Sequence, residues 1–192
     1  MWDQRLIVSV TMLASTADIP PVRRRGARSG DAICVTGALG GSLESIDGSI
    51  HHLDFEPRLQ AGRMLADSPQ RPHCMIDLSD GLAMDLGHLC REAGLAAIIE
   101  ADQLPISRAA ALASTKDHRP PWQHAVGDGE DYELCFTIDS AGAHHWIHHG
   151  IGDVPVTKVG QMIEDDAAPA VRIRRPDGQV QSAAHFGWEH HE

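Results

Sequence analysis

Aromatic residues are scarce in this sequence, 4% of 192 residues, so the core must be built mainly from aliphatic side chains. Basic residues are also few. Lys+Arg total 16 against 27 Asp+Glu, a formal net charge of −11 with 13 His counted as neutral. Such a chain lacks the basic face that displaces phosphate counterions from a duplex, and nucleic acid is not expected as a partner. Phosphate ligands stay open, because a divalent cation can stand between carboxylates and phosphates. No uncharged apolar run approaches the ~20 residues of a membrane span. Met1–Arg5 make a poor signal peptide, with Asp3 inside them and no small-residue cleavage site after the apolar stretch. The expectation is a cytoplasmic protein with no membrane partner. Cysteine is limited to Cys34, Cys74, Cys90 and Cys135, with no CxxC pair. Their spacing suits neither a zinc site nor a disulfide framework, and reduced core thiols are expected instead. Neither G-x-S-x-G, H-E-x-x-H nor a P-loop occurs, so serine hydrolase, zincin and Walker NTPase readings lack support.

What is present reads as globular. Hydrophobic residues at 42% and charged residues at 22% are ordinary values for a folded domain. Leu6–Leu13 is apolar and β-branched, a strand pattern lying close to the first residue. A linker through Pro20-Pro21 leads to the basic cluster Arg23-Arg24-Arg25. A strand is expected at Ala32–Thr36, followed by a glycine turn from Gly37 to Ser42 that brings backbone N–H groups toward an anion. Pro57-Arg58-Leu59 opens a helix. The clearest unit comes next: a short apolar strand at Cys74–Ile76, the turn Asp77–Gly81, and a helix with Leu82, Leu86, Leu89 and Ala93 on one face, ended by Gly94. Strands follow at Leu95–Ile99, Tyr132–Ile138 and Val156–Met162. A loop is expected around Pro120-Pro121, and a hairpin around Pro176-Asp177-Gly178. The class is mixed α/β.

Two acidic turns carry the chemistry. In Asp77-Leu78-Ser79-Asp80 two carboxylates and a hydroxyl stand where a strand gives way to a helix. Such oxygens suit a hard cation such as Mg²⁺, and the helix N-terminus favours a phosphate beside it. Capping of the helix by Ser79 or Asp80 is the structural alternative. In Asp128–Glu133 four carboxylates crowd six residues, an arrangement that recruits a cation or else forms a solvated loop. The arginines at 23–25 suit phosphate oxygens, or else form a basic linker on an acidic protein. His144, His145, His148 and His149 share helical spacing that suits a transition metal, or an exposed polar helix face.

Met75–His88 resembles the "MIDxSDGLxxDLGH" segment of thiamine-monophosphate kinases, and Gly129–Leu134 resembles their "GGEDYEL" segment. Shorter matches run in the same order: Val8–Thr11, Arg25–Asp31, Val35–Gly40, Pro57–Leu59 and Gly187–His190. The resemblance implies an α/β, α+β-layered fold, like the C-terminal domain of aminoimidazole ribonucleotide synthetase, with a mixed sheet covered by helices. It implies ATP-dependent phosphorylation of thiamine monophosphate to thiamine diphosphate. Mg²⁺ would be held by Asp77 and Asp80, ATP would be met by Arg24 and Ser79, and thiamine monophosphate by Glu130 and Trp188. No side chain is assigned as a catalytic base. Residues 21–192 would form the C-terminal domain, and residues 1–20 a residual strand and linker from an N-terminal ATP-binding domain that is missing here. The chain is then a truncated kinase, inactive by itself, that forms a homo-oligomer or pairs with such a domain. Asp128 departs from the first Gly of the family's "GGED". The competing readings are a non-catalytic module for thiamine phosphate or another phosphate ester, and a His-rich metal-binding protein.

Overall fold

The computed structural model describes residues 8–13, 15, 19–165 and 169–187. Its elements in chain order are β1 (Ala32–Thr36), β2 (Ser45–Ile46), β3 (Ser49–Ile50), α1 (His51–Asp54), α2 (Leu59–Asp67), β4 (Cys74–Asp77) and α3 (Leu82–Ala93). There follow β5 (Ala96–Glu100), a 3₁₀ turn (Ala101–Gln103), α4 (Arg108–Asp117), α5 (Pro121–Gly127), β6 (Leu134–Ile138) and α6 (Ser140–His149). The last strands are β7 (Val156–Ile163), β8 (Val171–Arg174) and β9 (Val180–Ser182).

Seven strands form one sheet in the order β4-β6-β1-β7-β5-β8-β9. Every neighbouring pair is antiparallel except β5 with β8, so the sheet is mixed. Side chains of β1 alternate between two cores. Ile33 and Val35 join Leu82, Leu86 and Leu89 of α3 and Trp122 and Val126 of α5 on one face. Ala32 and Cys34 join Ala61 and Leu65 of α2 and Ala143 and Trp146 of α6 on the other. The period of two along the strand therefore makes a helix–sheet–helix sandwich, the expected layered α/β arrangement. Full burial of each leucine contributes about 1.5–3 kcal/mol, which is how an aromatic-poor chain holds its core.

Most sequence-based expectations hold. α3 ends where expected, at Gly94, whose φ of 67° is left-handed and whose N–H bonds the carbonyls of Cys90 and Arg91. All four cysteines are buried and unpaired, and burial pushes the thiols of Cys34 and Cys90 up to about 12. The strand expected at Leu6–Leu13 does not form over its described part. Residues 8–13 carry no strand, and Val8 and Leu13 are 73% and 98% exposed. An extended segment gains stability only from a backbone partner, and no described strand lies beside it. Leu6 and Ile7 lie outside the described residues. The loop expected at Pro120-Pro121 is instead the start of α5, with Pro121 in its first turn; proline costs nothing there because that N–H has no helical partner. The unit β4-α3-β5 is not a βαβ of adjacent strands, because β6, β1 and β7 lie between them.

Candidate functional site

The two acidic turns meet. Leu78 N–H donates to the carbonyl of Glu133 at 2.8 Å, while the N–H groups of Glu130 and Tyr132 donate to the carbonyls of Ser79 and Leu78, each at 2.8 Å. The two segments are thus stitched backbone to backbone beyond the ends of β4 and β6. Gly129 allows the approach: its φ is +73°, and a Cβ there would lie 2.9 Å from the Ser79 carbonyl oxygen. Glu130 and Tyr132 themselves hold left-handed φ of 55° and 52°. Such backbone conformations are costly away from glycine and persist only where the surroundings enforce them.

Within the 128–133 turn the carboxylates divide into two kinds. Glu133 is 2% exposed and takes a two-pronged ion pair from Arg58, with Nε and Nη2 at 2.8 and 2.7 Å, and a bond from Thr36 Oγ1 at 2.6 Å. Asp131 is 2% exposed and accepts from Gly40 N–H at 2.7 Å. Asp128 accepts from Gly41 N–H at 3.0 Å and pairs with His124 Nδ1 at 2.8 Å. The glycine turn after β1 was expected to cradle an anion, and the anions it holds are these carboxylates of the chain itself. Asp128, the departure from the family pattern, is accommodated by the same contacts. Glu130 alone among the four keeps clear of this internal network. Its charge, with those of Asp77 and Asp80, adds to burial in pushing the phenol of Tyr132 above its ordinary value.

Asp131 has a consequence for pH. Burial, opposed by the Gly40 N–H and reinforced by Asp128, Glu133 and Asp85, holds its carboxyl well above the usual range. Its Oδ2 is buried without a hydrogen-bond partner. A folded-state pKa raised in this way contributes stability that is complete below the unfolded carboxyl pKa of ~3.9 and is lost as pH rises through the folded value. Asp131→Asn keeps an acceptor for Gly40 and cannot ionise. Urea unfolding from pH 4 to 8 should show the parent losing stability relative to Asp131→Asn as pH rises; parallel profiles would contradict this.

The 77–81 turn is organised by a residue that the sequence reading passed over. Asp85, on the buried face of α3 and 2% exposed, accepts the N–H groups of Ser79 and Asp80, both at 3.0 Å. Burial pushes its carboxyl up to about 6, against those two donors and with the charges of Asp80 and Asp77. The signal in the sequence was an aspartate standing among Leu82, Leu86 and Leu89. Two N–H groups ahead of the helix therefore face Asp85, not a phosphate. Neither Ser79 nor Asp80 caps α3; Gly81 is the N-cap, without a side-chain bond. Ligand atoms of Asp80, Asp85 and His88 lie within 4.8 Å of one another. Asp77 stands outside that group, exposed at the end of β4. Carboxylates so placed fit a hard, oxygen-seeking cation.

Arg24 is exposed. Its charge, after burial and the charge of Arg91, helps hold the His88 imidazole below its ordinary pKa, so Arg24 acts on the same side of the molecule as Asp80. Arg23 and Arg25 instead line a separate cavity of about 560 Å³ with Arg71 and His73. Trp188 lies outside the described residues; Gly187 before it closes on Asp80, where a Cβ would meet the carbonyl oxygen at 3.0 Å. Beside Asp77 opens a groove of about 1120 Å³, lined by Phe55, Arg58, Met75, Tyr132 and Leu134 among others. Phe55 and Tyr132 stack there with ring centroids 3.9 Å apart and planes at 19°. Among the described residues, no helix is long and apolar enough to cross a membrane.

No protein-family model matches the chain. Curated relatives do. The thiamine-monophosphate kinase of Rhodopirellula baltica is 40% identical over 84% of this chain and 48% of its own length. That of Salmonella typhimurium is 36% identical over 75% of this chain and 48% of its own. Among solved structures, AaThiL complexed with AMPPCP and TMP superposes with a TM-score of 0.70 at 26% identity, over 88% of this chain and 54% of that one. The thiamine-monophosphate kinase of Stenotrophomonas maltophilia gives 0.67 at 31% identity, over 83% of this chain and 54% of that one. The hydrogenase maturation protein HypE in complex with ATP shares the fold, with a TM-score of 0.69 at 15% identity. The fold is the aminoimidazole ribonucleotide synthetase-like α/β arrangement. The chain spans about half the length of the curated relatives it matches, and over that span it is similar in sequence and in fold to thiamine-monophosphate kinases.

Proposed function

We propose that this chain forms part of a kinase that transfers the γ-phosphoryl group of ATP to thiamine monophosphate, yielding thiamine diphosphate. The observation that carries the reading is the backbone stitching of the 77–81 turn to the 129–133 turn, which gathers Asp77, Asp80 and Glu130 about Tyr132. Both turns belong to the segments in which the chain resembles the family.

The acceptor of this reaction is a phosphate monoester whose second pKa is ~6, so it is already ionised at neutral pH and needs no general base. What the transfer requires is positioning, and relief of repulsion between phosphates. Asp77 and Asp80 would hold Mg²⁺, which when bound screens phosphate charge at this point. Asp85 keeps the Ser79–Asp80 backbone in place by accepting its two N–H groups. Ser79 and Arg24 face the nucleotide in this reading. Glu130 and Trp188 meet thiamine monophosphate, the carboxylate offering a counter-charge to the thiazolium ring and the indole a face for it. The groove beside Asp77 has room for the organic part of the acceptor. Residues 21–192 act as the C-terminal α/β domain, and residues 1–20 lead in from an N-terminal ATP-binding domain. That companion domain, or an oligomer that includes it, completes the nucleotide site.

The test is phosphoryl transfer from ATP·Mg²⁺ to thiamine monophosphate, with the chain alone and with the other half of the Rhodopirellula baltica relative added in trans. Turnover is expected only in the mixture, and Asp80→Ala should lower it by about 10²–10³-fold, as for other groups that stabilise transition-state charge. Unimpaired turnover in Asp80→Ala would remove the role given to that residue. Calorimetry addresses the rival reading: tight thiamine monophosphate binding with no turnover in the mixture would favour a non-catalytic module.

A further inference from the structure

The histidines of α6 are unused by the acidic centre and lie on the far side of the sheet from α3. Ala143 and Trp146 of α6 pack into the core that faces away from Leu82, Leu86 and Leu89. Trp146 Nε1 also donates to the carbonyl of Gln70 at 2.8 Å, which fixes the roll of the helix. With that face buried, His144, His148 and His149 are exposed and His145 is half-buried.

Histidines four apart on a helix face one another. The rings of His145 and His149 have centroids 4.6 Å apart and planes at 30°, while His144 and His148 are wider, at 6.4 Å. The closer pair has a second feature. His149 Nδ1 lies 2.8 Å from the carbonyl oxygen of His145, and a carbonyl only accepts, so Nδ1 carries the proton. The lone pair is then on Nε2, and the ring is held in both tautomer and orientation. This is the support that metal-binding imidazoles usually have. The pair also spans the last turn of α6, where the helix dipole favours a cation.

We infer that His145 and His149 form a chelating site for a divalent transition metal, with Nε2 of each ring as ligand and water completing the shell. The donors are nitrogen only, so the order expected is Cu²⁺ over Zn²⁺, with Mg²⁺ excluded. The site differs from the group at Asp80, where two carboxylates stand beside a single imidazole, His88.

The experiment titrates the whole chain with Cu²⁺ alone, by calorimetry and by electron paramagnetic resonance. One equivalent with nitrogen hyperfine splitting is expected, undisturbed by excess Mg²⁺. The double substitution H145A/H149A should weaken it roughly tenfold or more. H144A/H148A and H190A/H191A should leave it unchanged. His149→Gln keeps a polar side chain on the exposed face and serves as the test should the double variant not fold. Unchanged affinity without His149, loss of binding in either control pair, or displacement by Mg²⁺ would each overturn the assignment.

Discussion

Glu133→Ala is expected to lower the stability of the fold by about 3–5 kcal/mol, the cost of removing one partner from a buried ion pair. Glu133 joins three segments of the chain. It pairs twice with Arg58 at the start of α2, and it accepts from Thr36 at the end of β1. Thr36 Oγ1 in turn accepts the N–H of Leu134 at 2.8 Å. Truncation would leave a guanidinium that is 22% exposed without its counter-charge, and would free the hydroxyl that orients β6. Glu133→Gln retains acceptors for both partners and should cost less. Urea unfolding monitored by circular dichroism measures both variants; an alanine variant within about 1 kcal/mol of the parent would sink the argument.

Gly129→Ala should separate the two acidic turns. At φ +73° an L-residue costs about 1–2 kcal/mol, and the added methyl would lie 2.9 Å from the Ser79 oxygen and 3.2 Å from the Asp80 carbonyl carbon. Both of those neighbours are backbone and cannot rotate away, so the turns must part. If thiamine monophosphate binds at Glu130 next to the 77–81 turn, its affinity should fall by about tenfold or more, since each 1.4 kcal/mol is a factor of ten. A lower unfolding midpoint with unchanged affinity would show that the stitching supports the fold but not the ligand. The two variants read different things. Glu133 acts on the frame behind the turn, and Gly129 on the distance between the turns.

Local pattern made much of the fold legible. The short strand run Ala32–Thr36, the leucine spacing of α3 and the stop at Gly94 each rest on forces acting within a few residues, and all three appear as expected. The strand reading at Leu6–Leu13 failed over its described residues because β-propensity supplies no hydrogen-bond partner. α5 was missed because Pro120-Pro121 was read as a loop, when proline at a first helical turn is a starter.

The site divides the same way. The sequence identified two acidic turns by type. It could not tell which carboxylates would face outward. Asp131 and Glu133 are as acidic in the sequence as Glu130, yet they are spent on Gly40, Arg58 and Thr36, residues about 75 to 97 positions away. Asp85 drew no reading from the sequence, because its hold on the Ser79–Asp80 backbone arises only when the turn folds over the start of α3.

By itself, then, the sequence determined the class, the aliphatic core, the reduced cysteines and the acidic character of the centre, because composition and short periodicities encode them directly. Only the tertiary structure decided the strand order that brings β4 beside β6, and with it the pairing of the two turns. The physical reason is that hydrogen bonds between segments some fifty residues apart leave no periodicity in the chain; their partners become known only when the sheet is formed.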